Sequence, residues 1–205
     1  MNNNIVSRID NAPKGASGMR TGARQYAQAV NRYLNSGRTD ADYQNLCDSV
    51  IDCTIDDYCA ACNHKPSIVS FNDRGIEFLF DTATDRTLLV FGQTQATAPN
   101  SRDNNYHKQF PRRDGHEKGH AFAHAQGGFE GGPNYFFQRA ALNRRLSAKG
   151  HLWRDIETHL AANPGSFAFV RLIYPRNASA DIPSDVEYGL VADQGQFRSV
   201  IFCNR

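Results

Sequence analysis

Four of the seven histidines in this 205-residue chain, His107, His116, His120 and His124, fall within 18 residues. They sit in Asp114-Gly-His116-Glu117-Lys118-Gly119-His120-Ala-Phe-Ala-His124-Ala-Gln-Gly127-Gly128, where imidazoles, carboxylates and glycines are close enough to place a metal ion or a general base. The first chemistry spelled here is a zinc metalloprotease, because His116-Glu117-x-x-His120 satisfies H-E-x-x-H. That motif works only on a helix, which stacks two imidazoles one turn apart while the Glu polarises a zinc-bound water. The approach to it contains Pro111 and Gly115 and makes a poor helix. Lys118 stands where such a helix buries an apolar residue, and no third ligand follows at a useful distance. The protease is kept as an alternative.

A second chemistry uses residues further along. Gly119-His120, Gly127-Gly128, Pro133-Asn134-Tyr-Phe-Phe-Gln138, Leu142-Asn143-Arg144 and Trp153-Arg-Asp-Ile-Glu157 follow in series. Hydrolysing a phosphodiester needs an activated water and an electrophile beside the leaving oxygen. A histidine beyond a strand end, on an irregular segment, can take the water's proton, and an asparagine carbonyl on the next helix is a hard oxygen ligand suited to Mg²⁺. A glutamate one helix later can orient the metal's waters. Arginines beside the metal helix can grip the flanking phosphates.

This ordered series resembles the DNA/RNA non-specific endonuclease family of the ββα-metal nuclease superfamily, its toxin-associated branch especially, over residues 110 to 175. The resemblance implies that His120 is the general base and that Asn143 holds Mg²⁺, or Mn²⁺ in its place. It also implies that Asn134 is an auxiliary residue of the catalytic set and that Glu157 is the water-orienting glutamate, with Asp155 as fallback. Arg139, Arg144, Arg145 and Lys118 are the candidate phosphate contacts. The family commonly shows Asp-Arg-Gly-His where this chain has Glu117-Lys118-Gly119-His120, so a bidentate Arg becomes a Lys with a single charged head.

These residues need a scaffold. Residues 1 to 20 are rich in Asn, Gly and Ser and read as a poorly ordered lead-in. Helical spacing follows from Thr21 to Leu34 and from Asp40 through Ile51, the latter capped by Thr39 or Asp40. Past Pro66, Ser67–Phe71, Gly75–Phe80 and Thr87–Phe91 read as a three-stranded antiparallel meander with turns at Asn72–Gly75 and Asp81–Arg86. Residues 93 to 119 are polar and loop-like. Helices are expected over Gln138–Leu146 and Leu152–Leu160, then strands over Phe167–Tyr174, Val186–Ala192 and Phe197–Phe202. The expected fold is α+β: an antiparallel sheet with a ββα-metal motif in residues 66–205, and an N-terminal helical, cysteine-containing extension in residues 1–65.

Composition sets further bounds. Net charge is only +2, but 18 of the 23 basic residues are Arg, which binds phosphate through a planar fork. No apolar run reaches the roughly 20 residues of a membrane span, so no membrane partner is expected. Met1-Asn-Asn-Asn-Ile-Val-Ser has neither a basic start nor an apolar stretch, so no Sec-type signal peptide is expected. With that, the resemblance to the toxin branch implies a protein secreted or delivered to a target cell by a specialised route and acting in its cytoplasm. The partners that the resemblance implies are DNA, with RNA also open, and a cognate acidic immunity protein. Cys47, Cys53, Cys59 and Cys62 crowd together, and their spacing leaves disulfides, buried thiols and zinc all open. A nucleic-acid-binding module without catalysis is the other competing class.

Overall fold

The computed structural model describes residues 5–11, 26–97, 110–111, 113–176, 181–192 and 195–205. His107 and the rest of residues 98–109 lie outside them. The fold is α+β. Strands β1 (Ile68–Asp73), β2 (Ile76–Asp81) and β3 (Arg86–Gln93) form the expected meander. Strands β6 (Phe167–Ile173), β7 (Asp185–Ala192) and β8 (Gln196–Cys203) extend it into a six-stranded antiparallel sheet of order β1-β2-β3-β6-β7-β8. Strands β3, β6 and β7 are buried on both faces, which is why they read as near-continuous apolar runs.

Helices α2 (Ala27–Asn35) and α3 (Asp40–Ala61) cover one face, and α1 (Ile5–Asp10) packs against β8; all three precede the sheet in the chain. Thr39 caps α3 by accepting from the Asp42 amide, and Asp40 and Asp42 sit favourably in its first turn. The helix runs ten residues past Ile51 because neither Gly nor Pro interrupts it and Val50, Thr54 and Tyr58 continue a buried i, i+4 stripe. Tyr26 packs edge-on to Phe169 at 5.4 Å and Tyr43 to Phe167 at 5.8 Å, so the N-terminal helices share the core of the sheet. The lead-in is more ordered than expected. Ile5, Val6 and Ile9 are buried in α1, which Arg8 and Asp10 pin through ion pairs to Asp155 and Arg198. A six-residue helix is too short to show its period in sequence. All five cysteines are thiols. Burial pushes Cys47 up to about 12 and Cys53 up to about 11, which leaves them protonated and inert near neutrality.

The opposite face carries a two-stranded ribbon of β4 (His116–His120) and β5 (Tyr135–Arg139), the one-turn helix α4 (Ala140–Asn143), and α5 (Ala148–Ala162). Trp153 of α5 wedges between Tyr188 and Phe202 of the sheet, with ring centroids 5.0 and 5.2 Å away. The helix expected over Gln138–Leu146 is shorter than its pattern. Gln138 and Arg139 finish β5, because the aromatic run Tyr135-Phe136-Phe137 favours a strand and Phe136 packs on Trp153.

Candidate active site

The segment His116–His120 is a strand, which rules out the helical zinc motif. His116 and His120 are four residues apart in extended chain, about 13 Å at strand rise, so they cannot chelate one zinc ion. The ring nitrogens of His116 instead face the carbonyl oxygens of Asp114 and Asn204 at 3.0 and 2.9 Å. Among the described residues, no group of three or more His, Cys, Asp or Glu side chains is arranged to hold a metal. The protease alternative fails on this geometry.

What the segment builds instead is strand, loop, strand, helix. His120 ends β4 opposite Tyr135, and Lys118 lies opposite Phe137 on the same face. Gly119 is required between them: a Cβ there would come within 2.5 Å of the Gln138 side-chain oxygen across the ribbon. The loop from Ala121 to Asn134 is held by one buried side chain. Asn134 accepts from the Phe122 amide at 2.9 Å and donates to the carbonyls of Phe122 and Phe129 at 2.8 and 2.9 Å. Gly128 lies so close to the Phe122 carbonyl that any side chain there would collide with it. Asn134 therefore acts on backbone, shaping the loop. Gln126, also fully buried, accepts from Tyr188 and donates to the Glu157 carbonyl at 3.2 Å, fastening this loop to both the sheet and α5.

The hydrogen bonds gather the sequence-predicted residues into two clusters. In the first, His120 Nε2 lies 3.1 Å from Glu130, whose same oxygen accepts from the Tyr135 hydroxyl. In the second, Asn143 Nδ2 donates to Glu117 at 3.0 Å, and Arg144 pairs with the other oxygen of that carboxylate. Glu117 and His120 are three residues apart on β4, about 10 Å of strand. Because the Asn143 amide nitrogen is committed to Glu117, its carbonyl oxygen is the atom left to meet a cation. On the ribbon beside them Gln138 is buried, its Nε2 without a hydrogen-bond partner among the described residues.

Helix α4 ends in a sharp turn. The Leu146 and Arg145 amides return to the Ala141 and Leu142 carbonyls at 3.1 and 3.4 Å, with Arg145 at a φ of +59°. That left-handed conformation costs a non-glycine residue about 1–2 kcal/mol. The start of α5 packs directly on the turn: a Cβ on Gly150 would approach the Arg145 Cα to 3.0 Å, and Ser147 caps α5 by accepting from the Gly150 amide. Arg139, Arg144 and Arg145 are all exposed around this turn, while the Lys118 ammonium lies 4.3 Å from the Tyr135 ring centre.

Glu157 stands on α5 with Trp153 Nε1 donating to it at 3.0 Å and Arg154 paired at 3.1 Å. Burial raises its carboxyl above the usual range, opposed by Arg154, Trp153 and Arg145, so it lies within the field of the α4–α5 turn. Asp155, the fallback, is spent on Arg8. Reading the sequence gave Glu117 a role only in the protease alternative and missed Gln126, Glu130 and Asn204. Asn204 accepts from the Arg139 amide and donates to the Phe137 and Pro183 carbonyls, locking the chain end onto β5. The signal for Glu130 was present, as a lone carboxylate bracketed by Gly127-Gly128 and Gly131-Gly132.

No protein family and no curated protein matches the chain. Among solved structures, one described as an extracellular nuclease is similar over 69% of this chain and 85% of its own, at 15% identity and a TM-score of 0.39. A likeness that loose carries no inference about activity.

Proposed function

We propose that this protein is a metal-dependent nuclease that hydrolyses phosphodiester bonds of DNA, and of RNA where it is offered. One observation carries the reading: on the helix that directly follows the His120-bearing ribbon, Glu117 takes the amide nitrogen of Asn143 and so presents its oxygen. The residues fit Mg²⁺ or Mn²⁺ held by few protein oxygens and completed by water and phosphate, as Mg²⁺ prefers. When bound, that ion supplies charge to stabilise the leaving oxygen. His120 accepts the proton of the attacking water, worth about 10²–10⁴ in rate. Glu157 orients water near the turn, and Asn134 keeps the loop in place. Arg139, Arg144, Arg145 and Lys118 hold flanking phosphates, contacts that carry no base information and predict little sequence preference.

The biological role we propose is that of a toxin or effector acting in a target cell's cytoplasm, restrained in its producer by an acidic immunity protein over the exposed arginines. None of the described helices is long and apolar enough to cross a membrane. A salt-insensitive complex that leaves cleavage untouched would contradict the inhibitor. Supercoiled plasmid and single-stranded RNA incubated with Mg²⁺, with Mn²⁺ and with EDTA test the activity. Metal-dependent nicking lost in EDTA is expected, and intact substrates under every metal would refute the assignment.

A further inference from the structure

The His120 ring is held by a carboxylate that the phosphodiester chemistry above does not use. Gly128 and Gly131 each leave no room for a side chain, against the Phe122 carbonyl and the Phe129 ring, so the loop closes tightly around Glu130. Asn134 fixes the residue before it through the Phe129 carbonyl at 2.9 Å. Held this way, the Glu130 side chain is only 4% exposed and that of His120 only 12%. Glu130 Oε2 takes the hydroxyl of Tyr135 as well as His120 Nε2 at 3.1 Å. The Tyr135 ring stands edge-on to the imidazole, with centroids 4.9 Å apart and planes at 89°, and Lys118 lies against that ring. Glu130 and Tyr135 thus both meet the imidazole at the strand end, with Lys118 against the Tyr135 ring.

We propose that Glu130 is a positioning residue for His120, with Tyr135 as the hydroxyl that fixes the carboxylate in that task. Glu130 accepts the Nε2 proton, which selects the tautomer whose Nδ1 carries the lone pair. The attacking water gives its proton to Nδ1, its oxygen forms the new bond to phosphorus, and the bond to the leaving oxygen breaks, that oxygen taking a proton from solvent water. The resulting imidazolium keeps its Nε2 proton, hydrogen-bonded to Glu130, which stays ionised throughout. The role rests on His120 being the base, but the geometry of the pair does not, and the two can be tested apart.

The test uses the full chain, Glu130→Gln and Tyr135→Phe, with folding checked by circular dichroism. Long-range proton–nitrogen spectra of the His120 ring need no activity. The wild type should show the Nε2-protonated tautomer. Removing the negative charge should lower the pH at which His120 titrates by about one unit, with Tyr135 beside the ring and Lys118 against Tyr135 kept in place. In cleavage assays Glu130→Gln should lose about 10–100-fold in kcat with KM for DNA unchanged, and the acid limb of its rate profile should move to lower pH. Tyr135→Phe should move the same readings in the same direction by a few-fold. An Nδ1-protonated wild type, or a His120 titration unmoved in both variants, would overturn the proposal. If the spectra change as expected while the wild type cuts no nucleic acid, the pairing stands and the nuclease reading falls.

Discussion

The two faces of the central sheet solve the same problem, burying polar side chains, to different ends. On the helical face Arg171 pairs with Glu187 at 2.7 Å and with Asp57 at 2.6 Å, while Tyr26 donates to Glu187 at 2.7 Å and Ser199 adds a further bond. Asp81 collects Tyr58, His64, Thr84 and the amides of Ser67 and Ala83 at 2.8–3.0 Å. The buried carboxylates of Glu187 and Asp81 are saturated by groups of the chain itself. On the ribbon face, by contrast, the carboxylates pair with the residues proposed to do the chemistry: Glu117 takes the amide nitrogen of Asn143, and Glu130 takes one nitrogen of His120. A buried ionisable group marks chemistry only when its partner is left with something to offer.

This contrast is broken most directly on the helical side. Glu187→Ala strands a buried guanidinium, and breaking such a pair typically costs about 3–5 kcal/mol. Urea melts should show that loss, while activity per folded molecule stays at the wild-type level. A fall in specific activity below the melting range would make the sheet network part of the site. Asn143→Ala should behave oppositely, losing at least the 10–100-fold typical of groups around a metal with a stability change under about 1 kcal/mol. Mn²⁺ binding followed by electron paramagnetic resonance would report the lost ligand, and unchanged affinity would remove Asn143 from the metal site.

Acid separates the faces further. Burial alone would raise the Asp81 carboxyl, but the His64 side chain, the Ser67 amide, the Tyr58 hydroxyl and the Ala83 amide outweigh it and hold it well below the usual carboxylate range. Its stabilisation is therefore complete above the unfolded value of about 3.9 and fades as pH falls toward the folded one. Asp81→Asn should melt earlier at pH 7 and lose less than the wild type between pH 5 and pH 2. Parallel acid melting curves would deny Asp81 that role. The smallest effect is expected at Glu157. Its raised carboxyl means that ionisation costs the fold, a penalty that grows as pH rises through the folded value. Glu157→Gln should change stability at pH 7 by under about 1 kcal/mol yet slow cleavage roughly 10-fold. Unaltered kinetics would leave Glu157 a structural partner of Trp153.

Much of the sheet was legible because β-branched and aromatic runs between Asn, Asp and Gly turns have a period that tertiary contacts reinforce. The strand-by-strand match from Ile68 to Gln93 and from Phe167 to Cys203 shows it. The ribbon was not legible. His116–His120 contains Glu, Lys and Gly, residues of low strand propensity, and becomes a strand only because Tyr135–Arg139 returns beside it. Of the site, His120 and Asn143 stood out by their place in an ordered series. Glu117 and Glu130 did not, since what matters about each is a partner 26 and 10 residues away in sequence. The buried roles of Asn134 and Gln126 are likewise made by the loop that folds around them.

The most direct test is plasmid cleavage in Mg²⁺ by the wild type and by His120→Ala, the latter with and without added imidazole. Wild-type nicking, a loss of about 10²–10⁴ in the variant and partial recovery by imidazole are predicted, all at unchanged Mn²⁺ affinity. Cleavage by His120→Ala at the wild-type rate would contradict the assignment of His120 as the base.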